Sequence, residues 1–290
     1  MTDLIEARDI RQDYAGAFSL RVSHVSADRG TVLCLLGPSG AGKSTLLRIL
    51  GLLERPGSGV VTFDGRVVGP RMLFQRRRTA SSLQEQALLR GRAITNVEYG
   101  LRCRRVGRRA ARVRAEQALA EVGLDGMEER SVTDLSGGQR QRVNLARVLA
   151  VEPEILLLDE PLALIDEPRR ESLASGLREF TLRTGCATIW VTHDRAEALG
   201  VADRLALIDD GDLVEFGDAM RVFSQPSSEK AARLVGADNL IPGTIADSAG
   251  GLARINAGGF LIEAVSSLPE GSEVLVTIRP ESIALWARRP

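Results

Sequence analysis

Gly37-Pro38-Ser39-Gly40-Ala41-Gly42-Lys43-Ser44-Thr45 has the form G-x-x-x-x-G-K-S. Glycines let such a loop wrap until its backbone N–H groups point inward, where they meet phosphate oxygens. The helix that follows adds the positive end of its dipole. Lys43 is placed to reach the β- and γ-phosphates of a nucleotide, and Ser44 to offer a hydroxyl to Mg²⁺. The stretch follows the apolar, β-rich run Thr31 to Leu36 and opens helical spacing from Lys43 to Leu53. That is the strand, loop, helix order the chemistry requires. A second apolar run, Ile155-Leu156-Leu157-Leu158, delivers Asp159 and Glu160 at its C-terminal end, where open α/β sheets bind ligands. Asp159 suits Mg²⁺ held through water, and Glu160 suits polarisation of an attacking water.

Leu135-Ser136-Gly137-Gly138-Gln139 lies 23 residues before Asp159, counted from Ser136. Ser136 reads as a helix N-cap, and the glycines bare the helix N-terminus for an anion. Taken in order, these motifs resemble the ATP-binding subunits of ABC transporters over roughly residues 4–235. The resemblance implies an ATPase that uses ATP and Mg²⁺ and works as a head-to-tail dimer. Ser136, Gly137, Gly138 and Gln139 of one copy would close on the ATP held by the phosphate loop of another, with Ser136 and Gly138 at the γ-phosphate. His193, in Val191-Thr192-His193-Asp194 and 34 residues after Asp159, matches the family's switch histidine. It would contact the γ-phosphate and steady Glu160 and the attacking water. Asp166 matches the loop that crosses the dimer interface. Two glutamines compete for the switch that ligates Mg²⁺ and water and senses the membrane partner. Gln84 lies 41 residues after Lys43, the spacing the resemblance implies, and Gln75 only 32; Gln84 also runs on into Thr95-Asn96-Val97-Glu98-Tyr99-Gly100-Leu101. Gln84 is therefore the choice. Tyr14, before Ala15-Gly16, matches the aromatic that stacks on adenine, with Phe18 as its rival. Gln86 stands where the family often has proline, Ala163 replaces a frequent serine before the interface aspartate, and Leu164-Ile165 are unusual there. These departures touch dimer coupling rather than ATP binding.

The elements needed to position these residues can be read in outline. Residues 1–30 alternate apolar and polar positions, as strands of an antiparallel piece do. Residues 57–75 read as two short strands, and a helical subdomain occupies about 92–150. Alternating β and α elements over 31–208 imply a parallel sheet with helices on both faces. The expected class is an α/β P-loop NTPase with a mixed or parallel sheet. Near Gly236 the texture changes to four short strands separated by Gly250-Gly251, Gly258-Gly259 and Pro269-Glu270-Gly271. Residues 1–236 thus read as the nucleotide-binding domain and 237–290 as a small β module. Val235 to Leu240 and Ile278 to Ile283 resemble the OB-like extension of importer ATPases, here in a short form.

Composition narrows the class further. In 290 residues, 44% are hydrophobic, and 38 acidic residues balance 38 Lys and Arg, which argues against a nucleic-acid-coating protein. No apolar run approaches the roughly 20 residues of a membrane span, and the N-terminal residues carry no secretory leader pattern. Cys34, Cys103 and Cys186 are widely spaced and suggest neither a metal site nor a disulfide framework. Lys43 and Lys230 are the only lysines among the 38 basic residues, so arginine is the habitual cation of this chain. Arg102 to Arg114 holds seven arginines and no acid, a solvated helical face or a docking surface. The resemblance implies a subunit on the cytoplasmic face of the cell membrane, docked to a separate permease and indirectly to a substrate-binding protein. Its cargo is expected to be a molybdate- or tungstate-type oxyanion, with iron, sulfate, polyamine or sugar as alternatives. A soluble ABC ATPase not coupled to transport is the rival of another class.

Overall fold

The computed structural model describes residues 3–14, 18–69, 72–83, 88–237 and 239–278. Gln84, Gln86 and Ala15-Gly16 lie outside them. The chain divides into two compact units, Met1–Met220 and Arg221–Pro290. The division falls ahead of the boundary expected near 236. Helical spacing at Ala231, Ala232 and Val235 reveals a buried face but not which neighbour buries it.

In the first unit the described residues form one ten-stranded sheet. Its strands are β1 (Ile5–Tyr14), β2 (Phe18–Ala27), β3 (Val32–Leu36), β4 (Ser58–Phe63), β5 (Arg66–Val68), β6 (Thr79–Ser82), β7 (Ile155–Asp159), β8 (Ala187–Thr192), β9 (Arg204–Asp209) and β10 (Asp212–Asp218). They lie in the order β5-β4-β1-β2-β10-β9-β3-β8-β7-β6. β6, β7, β8, β3 and β9 run parallel to one another, whereas β1, β2, β4 and β5 pair antiparallel. The sheet is therefore mixed. Every residue of β3, β7 and β8 is buried, which is why those strands read as unbroken apolar runs rather than alternating ones.

The helices of this unit are α1 (Lys43–Leu50), α2 (Leu73–Arg76), α3 (Ala93–Cys103), α4 (Arg108–Glu121), α5 (Gly137–Leu149), α6 (Glu167–Thr184) and α7 (Arg195–Val201); α8 (Ala219–Ser224) spans the division. The main core joins α1, through Leu46, Leu47, Ile49 and Leu50, to Leu33, Leu35, Ile155, Leu157, Ile189 and Val191 of the parallel strands and to Ile5, Ile10 and Leu20 of the antiparallel piece. The arginine-rich segment is in fact a solvated face in part: Arg112 of α4 pairs with Glu116 one turn on and with Glu129.

The helical region is held at its start by Asn96, which is 1% exposed. Its Oδ1 accepts the Leu89 N–H at 2.8 Å, and its Nδ2 donates to the carbonyls of Leu89 and Arg92 at 2.9 and 3.0 Å. Asn96→Leu leaves those groups unpaired and should lower stability by about 2–3 kcal/mol, the cost of stranded buried polar groups, read as an earlier urea midpoint. An unchanged midpoint would show that Asn96 is dispensable to the helical region.

The second unit contains α9 (Glu229–Leu234) and an antiparallel sheet of β11 (Asn239–Ala249), β12 (Leu252–Ala257), β13 (Phe260–Val265) and β14 (Glu273–Ile278), ordered β13-β12-β11-β14. Ile245, Ala253, Ile255 and Ala257 form its small core.

Candidate functional site

At the end of β3 the chain turns through residues 37–42 into α1. Gly42 stands at φ 103° and caps α1, and a Cβ there would come within 2.7 Å of the Phe18 ring. A side chain would meet both an unfavourable backbone conformation and a wall. No side chain caps the first turn of α1 and no acid sits in it, which suits a helix end meant for an anion. Lys43 is 6% exposed, and its Nζ donates to the carbonyls of Gly37 and Pro38 at 2.8 Å each. Burial pulls its ammonium below the ordinary lysine value, opposed by the carboxylates of Glu160 and Asp159. Thr45 Oγ1 accepts from Arg48 at 3.4 Å, while Pro38, Ser39 and Gly40 lie exposed at the loop crest and Ala41 is buried.

The two carboxylates arrive on β7, two strands away in the sheet. Ser44 Oγ donates to Asp159 Oδ1 at 3.2 Å. Burial raises the Asp159 carboxyl, Glu160 adds to the rise, and the Ser44 bond and Lys43 oppose it. Glu160 takes φ 50°, a left-handed conformation rare for a side-chain-bearing residue, and its N–H donates to Val191 O at 3.0 Å. His193 follows β8, and its Nδ1 lies 2.8 Å from Glu160 Oε1. An ionised carboxylate accepts, so the imidazole carries its proton on Nδ1. Side by side, then, stand the Lys43 cradle, the Ser44–Asp159 oxygen pair and the Glu160–His193 pair.

Ser136 to Gln139 open α5. Ser136 Oγ accepts the Gln139 N–H at 3.2 Å, and Gln139 Oε1 accepts the Ser136 N–H at 2.9 Å, a reciprocal capping box. The cap uses a lone pair of the hydroxyl, so its proton remains available to a further acceptor. Gly137 and Gly138 lie against Leu164, just before Asp166. A Cβ on Gly138 would approach the Leu164 carbonyl oxygen to 2.6 Å. Gly138→Ala should therefore cost about 1–3 kcal/mol by overpacking, measured as a fall in the urea midpoint; an unaltered midpoint would mean that this contact is loose. Asp166 caps α6 by backbone position, with its exposed carboxylate 3.7 Å from Arg169.

β6 separates the two candidate glutamines. Its last residue, Ser82, pairs with Leu158 just before Asp159, so the strand leads out at the phosphate-loop end of the sheet. Gln75 sits in α2, ahead of the other end of that strand. Gln84, two residues after Ser82 in the sequence, lies outside the described residues. Tyr14 faces Phe18 across the β1–β2 pair, with ring centroids 6.3 Å apart. The Tyr14 hydroxyl is tied to Glu54, while Phe18 lies over Gly42.

Two residues that sequence reasoning passed over, Gln141 and Glu197, also shape the site. Gln141 Nε2 donates to Pro161 O at 3.0 Å and so ties α5 to the segment after Glu160. Glu197 accepts from Trp190 and Thr192 of β8. Burial raises its carboxyl to about 7, with the two hydrogen bonds opposing. The one available signal was an acid in the first turn of α7, which by itself reads as a dipole partner.

The family described as ABC transporter matches residues 20–163. The sulfate/thiosulfate import ATP-binding protein CysA of Xanthomonas campestris pv. campestris is 40% identical over 284 residues, covering 96% of this chain and 81% of that protein. The Fe(3+) ions import ATP-binding protein FbpC 1 of Haemophilus influenzae is 36% identical and covers 98% of this chain and 86% of that one. Among solved structures, a dimeric post-hydrolysis state of the ATP-binding cassette MJ0796 bound to ADP and Pi is similar, with TM-score 0.68 and 28% identity over 74% of this chain and 98% of that one. A phosphate loop, a carboxylate-bearing strand and a glycine-led helix start, set on this sheet and matched across nearly the whole chain, have one reading: the chain belongs to the ABC transporter family as an ATP-binding, ATP-hydrolysing subunit.

Proposed function

We propose that this subunit drives import of a small inorganic solute, with a sulfate-type oxyanion first and Fe³⁺ second. Names of the similar proteins specify sulfate/thiosulfate and Fe(3+) import. The molybdate or tungstate expectation gains no support from them and gives way to these two. The cassette works with a second copy of itself and a membrane permease, fed by a substrate-binding protein, at the cytoplasmic membrane face. No helix among the described residues is long and apolar enough to cross a membrane. Nucleic acid has no part in this reading.

The observation that carries the chemistry is the convergence of Lys43, Ser44–Asp159 and Glu160–His193 at one end of the parallel strands. Two hard oxygens within 3.2 Å of each other suit Mg²⁺, an oxygen-seeking cation. Ser44 and Asp159 would hold it, with Gln84, and bound there it neutralises phosphate charge. Lys43 exchanges the Gly37 and Pro38 carbonyls for β- and γ-phosphate oxygens, while Gly37, the loop residues Ser39 to Gly42 and Thr45 present backbone N–H groups; Pro38, which has none, shapes the turn. Glu160 takes a proton as water oxygen bonds to the γ-phosphorus and the bond to the β-phosphate oxygen breaks, leaving ADP and phosphate. His193 holds the Glu160 carboxylate at Oε1. Adenine rests on the Tyr14–Phe18 aromatic pair, with Tyr14 as the stacking face. From the second copy, Ser136, Gly137, Gly138 and Gln139 close the γ-phosphate and Asp166 crosses the interface.

Co-purification tests the transport reading. Tagged chain should bring down an integral membrane protein from its native membrane, and reconstituted vesicles should import ³⁵S-sulfate only with ATP. An active ATPase that brings down no membrane protein would defeat the transport assignment, and import of ⁵⁵Fe³⁺ instead would reassign the solute.

A further inference from the structure

Glu197 sits in the first turn of α7, yet the start of that helix is already served. Asp194, the N-cap, accepts the Ala196 and Glu197 N–H groups at 2.8 and 3.1 Å. The Glu197 carboxylate turns back beneath the end of β8. One of its oxygens accepts the Trp190 indole N–H, and the other accepts the Thr192 hydroxyl at 3.0 Å. Chemistry fixes these directions. Indole nitrogen only donates. Thr192 Oγ1 accepts the Asp194 N–H at 3.0 Å, so its own proton is free for Glu197. His193 lies between Thr192 and Asp194, so Glu197 orients the Thr192 hydroxyl before it, and that hydroxyl in turn holds the Asp194 N–H after it. The imidazole is 61% exposed and reaches out to Glu160. Its aim therefore depends on the turn beneath it.

We propose that Glu197 is a positioning residue for ATP hydrolysis: without touching nucleotide, it holds, through Thr192 and Trp190, the turn from which His193 meets Glu160. This rests on the proposed role of His193. A half-buried carboxylate is a costly way to fill space, because desolvation disfavours its charge and an apolar residue of similar size would be cheaper. Burial, together with the nearby acids Glu160 and Asp194, does raise this carboxyl. What a carboxylate supplies, and leucine or glutamine does not, is two acceptors facing two fixed donors. In Glu197→Gln the amide oxygen still serves Trp190, but an N–H₂ group faces Thr192, whose hydroxyl must reverse.

The test is steady-state ATPase kinetics of the purified chain with Mg-ATP. Glu197→Gln should lower kcat about ten-fold, the scale of a small misplacement of a reacting group. It should leave KM for ATP within about two-fold, because the phosphate loop is untouched. Thr192→Val, which removes the same hydroxyl, should reproduce that split and carries the test if Glu197→Gln does not fold. In a His193→Ala background neither change should cost further turnover. An unchanged kcat, or an equal loss with and without His193, overturns this inference alone. Full turnover in His193→Ala by itself overturns instead the role given to His193, and this inference with it.

Discussion

Glu160→Gln should lower ATP turnover by about a thousand-fold, the middle of the range for a lost general base, while ATP still binds. The substitution changes little except the ability to take a proton. Glutamine has the same shape, and its amide oxygen still accepts from His193 Nδ1 at the position that Oε1 holds at 2.8 Å. The residue's left-handed backbone, φ 50°, and its N–H bond to Val191 are fixed by the sheet rather than by the carboxylate. Removing a negative charge near Lys43 also takes away repulsion toward the γ-phosphate. The variant should therefore retain ATP, and two copies should stay closed around it. Size-exclusion chromatography with Mg-ATP should move Glu160→Gln to a dimer that disperses when nucleotide is removed. Turnover near that of the native chain would exclude Glu160 as the proton acceptor, and a monomer saturated with Mg-ATP would exclude the shared site.

What the sequence disclosed about this site follows from how each part works. A phosphate cradle is made from consecutive backbone groups, so Gly37 to Thr45 announce themselves as a string. Asp159 and Glu160 are legible because a strand buried on both faces is a plain apolar run with its polar residues at the end. Ser136 is legible as a cap, although the reciprocal bond from Gln139 shows only in three dimensions. Contacts between distant segments leave no such trace. Nothing in the spacing of Gly138 indicates that the Leu164 carbonyl crowds it, and nothing in Glu197 indicates that it bends back to Trp190. The mixed sheet was likewise half legible: alternation marked the antiparallel piece, and Leu205 to Ile208 and Leu213 to Phe216 around Asp209 to Asp212 read as the hairpin that β9 and β10 form, but the parallel pairing of β10 with β2 depends on how the layers close. Gln84 was chosen over Gln75 by spacing, and the direction of β6 favours the same choice.

Lys43 allows the sharpest contrast, because this chain uses arginine almost wherever it needs a cation. Were Lys43 only a positive charge, Lys43→Arg would be harmless. The structure argues otherwise. The side chain is 6% exposed, and a single Nζ sits between two carbonyl oxygens at 2.8 Å. A guanidinium is planar, wider and forked, and presents its donors along fixed directions. It would have to displace the loop whose N–H groups are proposed to hold the phosphates. Lys43→Ala removes the cation and also strands the Gly37 and Pro38 carbonyls in the empty loop. Both variants should therefore weaken ATP binding by about a hundred-fold or more, the equivalent of losing one or two charge-assisted hydrogen bonds at about 1.5–3 kcal/mol each. Titration with a fluorescent ATP analogue would measure this, and the thermal midpoint without nucleotide would separate it from misfolding. Tight nucleotide binding by Lys43→Arg would mean that charge alone matters at this position. Loss in both variants, with the fold intact, would assign to lysine the compact, single-point contact that a phosphate cradle of this geometry needs.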